Sequence, residues 1–367
     1  MNFIICSDLH LGKPFSPFRP GDPRGQSLCD EALEVPEKLA ALAASQNAGA
    51  VLIAGDLFEQ SRFDERITAA LHSCFDAVPQ THFFISPGNV DPLSAASPYL
   101  TQSWPDNVHI FGEKLKAFEL EAAPVRVYGV ACTKQTVDGR DLFNPEKLPK
   151  LDPGYVNILM MHLVPAGANG APDAGPLLSC GFDLCVFGHV HKAALPQRVE
   201  NTDVLFPGAL IPHNFRDSGG LFCGTVIKGV NQLSCLPLFP RDYVRRDLDV
   251  SGVNSARALK DALLPLLPRK EDLTQIVLRG TSTLALRAAV RELEQELAQT
   301  YFSIQLIDRT EYSLADPDAP GDAAVYAAAG TKLDCDTEAE TLRLARNYVF
   351  SALADLSFPE VQSYDDI

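Results

Sequence analysis

Five times in its first 191 residues the chain writes a short apolar run that ends on a polar tip: FIICSDLH (3–10), AVLIAGDLF (50–58), HFFISPGNVD (82–91), VNILMMHL (156–163) and LCVFGHVH (184–191). Apolar runs of this length read as strands, so each polar tip falls at the carboxyl end of one. Strand ends repeated in this way converge on one face of an α/β domain, and that face is where chemistry is expected. Between the second and third runs, FDERITAALHSCFDAV (63–78) spaces Ile67, Leu71, Phe75 and Val78 at helical intervals, predicting an amphipathic helix that covers the sheet. His72 on that helix reads as a surface or packing residue.

The strand and helix alternation runs through residues 1–240. A different pattern starts after the proline-punctuated LPLFPRD. There YVRRDLDV, SARALKDALLPLLP, LTQIVLRG, TLALRAAVRELEQELAQ and FSIQLIDR read as strand, helix, strand, helix, strand, a separate small α/β domain over 241–312. Leu286, Val290, Leu293 and Leu297 keep a 3.6-residue period along its second helix. Residues 313–367 begin with the turn-rich linker ADPDAPGDA. A capping-box pattern, Thr337 with Glu340, then opens a last helix through about Leu356. Its apolar stripe, Leu342, Ala345, Val349, Leu353 and Leu356, packs on its own chain or docks a partner helix.

With 367 residues, 46% of them hydrophobic and 21% charged, the chain is long enough for one large and one small globular domain. The amino terminus has no basic leader, and no run approaches the roughly 18 apolar residues of a membrane span, so no membrane association is expected. Nine cysteines without a CxxC pair predict reduced, mostly buried thiols and a cytoplasmic protein. The net charge of −16 argues against a nonspecific nucleic-acid coat protein. It leaves room for a local basic track, and divalent ions in the cleft would offset part of that field.

The five tips hold the donors that a pair of hard divalent ions needs: carboxylate, amide oxygen and imidazole, with one carboxylate placed to bridge. They are Asp8 and His10, Asp56, Asn89, His162, and His189 with His191. If the strands continue through them, Asp8 and His10 share one face, as do His189 and His191. Gly55 and Gly188 precede ligands where a loop must turn sharply. A lone DxH or GD says little, but five such pieces in order use four of the chain's eight histidines.

At these motifs residues 1–240 resemble the calcineurin-like metallophosphoesterase superfamily. The nearest resemblance within it is to nuclease subunits of the SbcD and YhaO type, which partner an SMC-like coiled-coil ATPase in DNA break processing. It is carried by DLHLGKPF (8–15), AGDLFEQSR (54–62) and FPGALIPHNFRDSGG (206–220). The resemblance implies a four-layer α-β-β-α sandwich followed by a small C-terminal α/β capping domain. It also implies two divalent ions, Mn2+ by expectation. Asp8, His10, Asp56 and His191 would hold one ion, and Asp56, Asn89, His162 and His189 the other. Expected partners are DNA, the ATPase subunit and a second copy of the chain.

The chain departs from the family at residue 90. The usual motif is GNHD, and here it reads Gly88, Asn89, Val90, Asp91. Valine cannot supply a proton, and general acid catalysis is typically worth roughly 10²–10⁴ in rate. Asp91 is expected to orient a ligand histidine from behind, or else to act in catalysis itself. His213 is a candidate to replace the missing acid, and Arg216 a candidate to grip a phosphate. Glu59 stands where some relatives that process DNA ends carry a histidine. Three functions follow: a slowed phosphodiesterase acting on DNA ends, a metal-bearing scaffold for DNA or the ATPase, or a small-molecule phosphodiesterase.

Overall fold

The computed structural model describes residues 1–134, 150–163, 180–267 and 269–312, and divides into two compact units, Met1–Pro240 and Arg241–Ile367. The expected linker and terminal helix of 313–367 lie outside the described residues.

The first unit is built on two six-stranded sheets. One holds β1 (Asn2–Cys6), β2 (Ala48–Ile53), β3 (His82–Ile85), β4 (Val108–Ile110), β11 (Leu221–Ile227) and β12 (Val230–Leu236), in the order β12-β11-β1-β2-β3-β4. The other holds β5 (Lys116–Leu120), β6 (Val125–Gly129), β7 (Val156–His162), β8 (Leu184–Gly188), β9 (Ala194–Val199) and β10 (Thr202–Phe206), in the order β5-β6-β7-β8-β10-β9. Strands β1 to β4 run parallel, and so do β6, β7, β8 and β10, while β5, β9 and the β11–β12 hairpin are antiparallel additions.

Alternate side chains of both sheets meet in one core. Phe3, Ile5, Leu52, Phe84 and Phe222 come from the first sheet, and Val127, Ile158, Met160, Val186 and Leu205 from the second. Because Phe3 and Ile5 face that core, Ile4 is buried on the opposite face, as are Val51, Ile53, Phe83 and Ile85. Helices α1 (Pro23–Leu33), α2 (Val35–Ser45) and α3 (Glu65–Ala77) bury their own apolar stripes, and α2 packs on β2. In α3 the Asp64 carboxylate accepts from the Ile67 amide as N-cap, and Ile67, Leu71, Cys74 and Phe75 are buried, as the sequence period predicts. The outer face of the second sheet carries its own apolar cluster, with Tyr128, Leu159, Met161, Phe182 and Phe187.

The alternation of strand and helix expected to residue 240 is seen through α3 and β3, and residues 135–149 and 164–179, which connect β6 to β7 and β7 to β8, lie outside the described residues. Among the described residues every helix of this unit, including the single turn α4 (Pro98–Thr101), precedes Gln102. No helix of the described residues is long and apolar enough to cross a membrane. Of the eight described cysteines, Cys6, Cys74, Cys185 and Cys223 are buried and Cys235 is exposed.

The second unit has the expected order. Strands β13 (Tyr243–Asp249), β14 (Leu273–Arg279) and β16 (Ser303–Asp308) form a parallel sheet, crossed by α5 (Ala256–Leu263) and α6 (Leu284–Leu297). Leu286, Val290, Leu293 and Leu297 of α6 enter its core with Ile276, Leu278, Ile304 and Leu306. A short parallel pair, β15 (Thr281–Ser282) with β17 (Glu311–Tyr312), is added beyond the predicted elements.

Candidate metal centre

The pairing of β1 with β2 continues past both strands. Ala54 donates its amide to Cys6 (2.9 Å), Asp8 to Gly55 (3.0 Å), His10 to Asp56 (2.9 Å) and Leu11 to Leu57 (3.1 Å). This ladder lays the DLH and GDLF tips side by side. The residues on it are not extended, however. Asp8 (φ 54°), His10 (φ 48°), Asp56 (φ 50°) and His189 (φ 79°) all occupy the left-handed region. The expectation that Asp8 with His10, and His189 with His191, share a strand face is therefore incorrect, since β1 ends at Cys6 and β8 at Gly188. Loops aim these side chains. Non-glycine residues in this region cost about 1–3 kcal/mol each and persist where surroundings over-determine them.

Two groups of side chains result, and they share Asp56. The donor atoms of Asp8, His10, Asp56 and His191 all lie within 4.8 Å of one another, and so do those of Asp56, His162 and His189. Asn89 joins the second group: its Oδ1 is 3.0 Å from His162 Nε2 and 2.9 Å from His189 Nδ1. In the first group His10 Nε2 and His191 Nε2 face each other at 3.1 Å. Asp56 Oδ2 lies between the groups, 3.1 Å from His162 Nε2 and 3.6 Å from His10 Nε2. The backbone makes room for this crowding. A Cβ on Gly55, itself at φ +87°, would fall 2.4 Å from His162 Nδ1, and one on Gly188 would fall 1.9 Å from the Ala54 carbonyl.

Three of the four imidazoles are held from behind. His10 Nδ1 lies 2.9 Å from Glu59 Oε1, His191 Nδ1 3.0 Å from Asp217 Oδ1, and His162 Nδ1 2.9 Å from the Ala54 carbonyl oxygen. With Nδ1–H donating to these acceptors, Nε2 points inward in all three and can bind a cation once any proton on it has left. His189 faces Asn89 through Nδ1, and its amide donates to both Asp8 oxygens at 3.2 Å, tying the GHVH loop to the DLH loop. Asp217 is a functional residue that sequence reasoning missed, and Glu59, singled out only for standing where some relatives carry a histidine, is placed by the structure behind His10. Asp217 is anchored by the His213 amide (2.9 Å) and Asn214 Nδ2 (3.0 Å), a loop contact with no local spacing signature.

The remaining sequence candidates have other work. Asp91 touches no ligand histidine. Its buried carboxylate accepts from the Leu57 amide (2.7 Å), the Gly88 amide (2.6 Å) and the Tyr99 hydroxyl (2.6 Å), locking the GDLF and GNVD loops together. Burial and the Asp56 charge push it up to about 6 against the pull of those donors, so at neutral pH it is an acceptor. His213 is neither solvated nor open to the cleft. It is buried, stacked on Phe15 at 4.3 Å and edge-on to His10, and burial with the His10 and Lys13 charges pushes it down to about 3. A ring that is neutral and walled in packs behind His10 and is not a proton donor. Arg216 is exposed on the loop that carries Asp217, its amide bonded to Asn214 Oδ1 (2.7 Å).

Electrostatics set how this centre takes up cations. Burial pulls His162 down, but the Asp56 hydrogen bond and charge, with Asp8, outweigh it and hold the imidazole at about 9. Burial likewise disfavours His191⁺, and Asp217 and Asp8 raise it to about 9. Both rings are therefore protonated in the metal-free protein at pH 7, and a cation must displace those protons. Apparent affinity for a divalent ion is expected to rise with pH from 6.5 and level off near 9, where the rings are already neutral. Asp217→Asn is expected to lower affinity about 10–100-fold, because it frees the His191 ring to rotate. Titration calorimetry in buffers of different ionisation enthalpy counts the protons released; affinity independent of pH would refute the linkage.

Residues 1–193 match the family profile described as calcineurin-like phosphoesterase. No curated protein matches the chain in sequence. Among solved structures it is similar to TT1561 of Thermus thermophilus, at 13% identity over 64% of this chain and 98% of that one, with a TM-score of 0.39. A dimetal phosphatase from Danio rerio is similar at 12% identity over 61% of this chain and 91% of that one, with a TM-score of 0.40. The purple acid phosphatase PPD1 of yellow lupin, Lupinus luteus, is similar at 13% identity over 61% and 48%, with a TM-score of 0.38.

Proposed function

Because the chain belongs to the calcineurin-like phosphoesterase family, we propose that it is a two-metal phosphodiesterase acting on DNA ends, a repair nuclease of the SbcD and YhaO type. The observation that carries this reading is the pair of donor groups sharing Asp56, with His10 and His191 held through Nδ1 by carboxylates so that Nε2 faces inward. The donor set fits two hard or borderline divalent ions, Mn2+ among them. Asp8, His10, Asp56 and His191 would hold one, and Asp56, Asn89, His162 and His189 the other. When bound, the two ions activate a water and neutralise charge at the phosphoryl group.

The chain's own residues do the rest. Asp91 fixes the two loops from which Asp56 and Asn89 project. Glu59 and Asp217 hold two of the ligand rings, and Arg216, exposed on the loop that carries Asp217, would engage a phosphate oxygen. At the leaving oxygen the GNVD loop offers no side-chain proton: Val90 has none, and Asp91 is turned inward to three donors. Solvent then supplies it, which slows departure of a sugar alkoxide more than that of a nitrophenolate. The alternation of ligands and basic residues in DLHLGK, GHVHK and NFRD supports a polyanionic substrate within a chain whose overall charge is acidic.

The SMC-like ATPase remains part of this reading as the partner of the full chain. The test is hydrolysis of a bis-nitrophenyl phosphodiester and of linear DNA with Mn2+, each abolished by a chelator and restored by the metal. Turnover of nucleotides or small diesters with none on DNA, even with the ATPase present, would replace the nuclease by a small-molecule phosphodiesterase.

A further inference from the structure

The first unit has four sheet edges, β4, β5, β9 and β12, and natural proteins blunt such edges by shortness, charge, proline or irregularity. Three of the four follow that rule. β4 is three residues long, β5 carries Lys116 and Glu119, and β9 carries Pro196 and Arg198 against a register break in β10. β12 breaks it. Its seven residues, VNQLSCL, include no charge and no proline, and they pair with β11 without a bulge. Val230 is 53% exposed and Leu236 39%, and Ile227 at the end of β11 is 47% exposed.

The open side of β12 is a regular row of hydrogen-bonding groups. The two-residue Lys228-Gly229 loop makes Ile227 and Val230 a mutually bonded pair. By alternation, Asn231, Leu233 and Cys235 then turn their N–H and C=O groups outward. We propose that this edge is the dimer interface of the protein, closed by antiparallel pairing with β12 of a second copy about a two-fold axis at Leu233.

The strand is complementary to itself about that residue. Leu233 then opposes Leu233, Gln232 opposes Ser234, Asn231 opposes Cys235, and the exposed Val230 opposes the exposed Leu236. The outward groups at 231, 233 and 235 are those that this register bonds, so backbone and side chains agree on one alignment. An edge without charge is also where two chains of net charge −16 approach with least repulsion. Because the pairing is isologous and uses the one unguarded edge of the first unit among the described residues, it closes as a dimer instead of growing into a fibre.

The experiment measures the mass of the full chain by light scattering and sedimentation across a concentration series, for wild type and two variants. Wild type is expected at twice 39.8 kDa. Gln232 and Ser234 are exposed and stand opposite Thr225 and Cys223 on β11, so both can carry charge within the monomer. Q232K/S234K sets lysine against lysine in both symmetry-related pairs and is expected to weaken the dimer by about tenfold or more. Q232K/S234E sets lysine against glutamate in the same places and is expected to restore it. A monomeric wild type overturns the proposal, including where the edge instead takes a strand of another protein. A dimer that both variants leave unchanged, or that both disrupt equally, overturns it as well.

Discussion

Val90→His is expected to raise turnover on DNA by about 10²–10⁴ while changing turnover of a nitrophenyl diester little. Residue 90 sits beside the shared carboxylate: its amide donates to Asp56 Oδ1 at 3.0 Å, and its carbonyl accepts from the Gln60 amide at 3.2 Å. Both are backbone contacts, so an imidazole in place of the half-exposed isopropyl group leaves the loop's geometry alone. What changes is the supply of a proton beside the reacting group. A nitrophenolate leaves without one, whereas a sugar alkoxide does not, and the ratio of the two gains isolates that step. Steady-state rates for both substrates at saturating Mn2+ decide the matter. Equal gains on the two would mean that residue 90 acts through metal binding or loop position, and no gain on DNA would mean that proton supply is not the deficiency.

The contrast between residue 90 and its neighbours also shows where sequence is informative. Asp8, His10, Asp56, Asn89, His162, His189 and His191 could be picked out because each follows an apolar run and carries a distinctive donor. The family resemblance implied the division into two groups that share Asp56, and the loops gather the donors in that way. The strand-face reasoning failed for Asp8 with His10 and for His189 with His191, since left-handed backbone at Asp8, His10 and His189, not strand alternation, aims these loops. Side-chain chemistry is written locally, but backbone conformation depends on the ladder between two loops 46 residues apart, as in the His10 to Asp56 bond. The pairings of Glu59 with His10 and of Asp217 with His191 were unread for the same reason: a carboxylate behind a histidine is defined by distance in space. The β11–β12 hairpin went unread because Asn231, Gln232 and Ser234 break its apolar run. The main sheet of the second unit was legible, its elements being locally patterned and its three strands parallel, while the short β15–β17 pair was not.

Asp56→Asn is expected to cost on the order of 10³ or more in phosphodiesterase rate, through loss of one ion and not both. Among the donors gathered in the second group, Asp56 supplies the sole carboxylate, the others being Asn89, His162 and His189. The first group keeps Asp8 when Asp56 is changed. An amide in its place has one neutral oxygen for two neighbours, and whichever neighbour meets its NH2 group faces a donor instead of an acceptor. The metal-free protein changes in a predictable sense too. Asp56 is held down at about 2, since the His162 hydrogen bond and charge, with His10 and the Val90 amide, outweigh the opposing effect of burial. Without that carboxylate, His162 loses the main support for its raised pKa and is neutral at pH 7, so proton release on metal binding falls. Elemental analysis should then find one ion where wild type holds two, with calorimetry showing fewer protons expelled. Two ions retained with activity intact would remove Asp56 from the bridging position, and with it the premise that the two donor groups work as one centre.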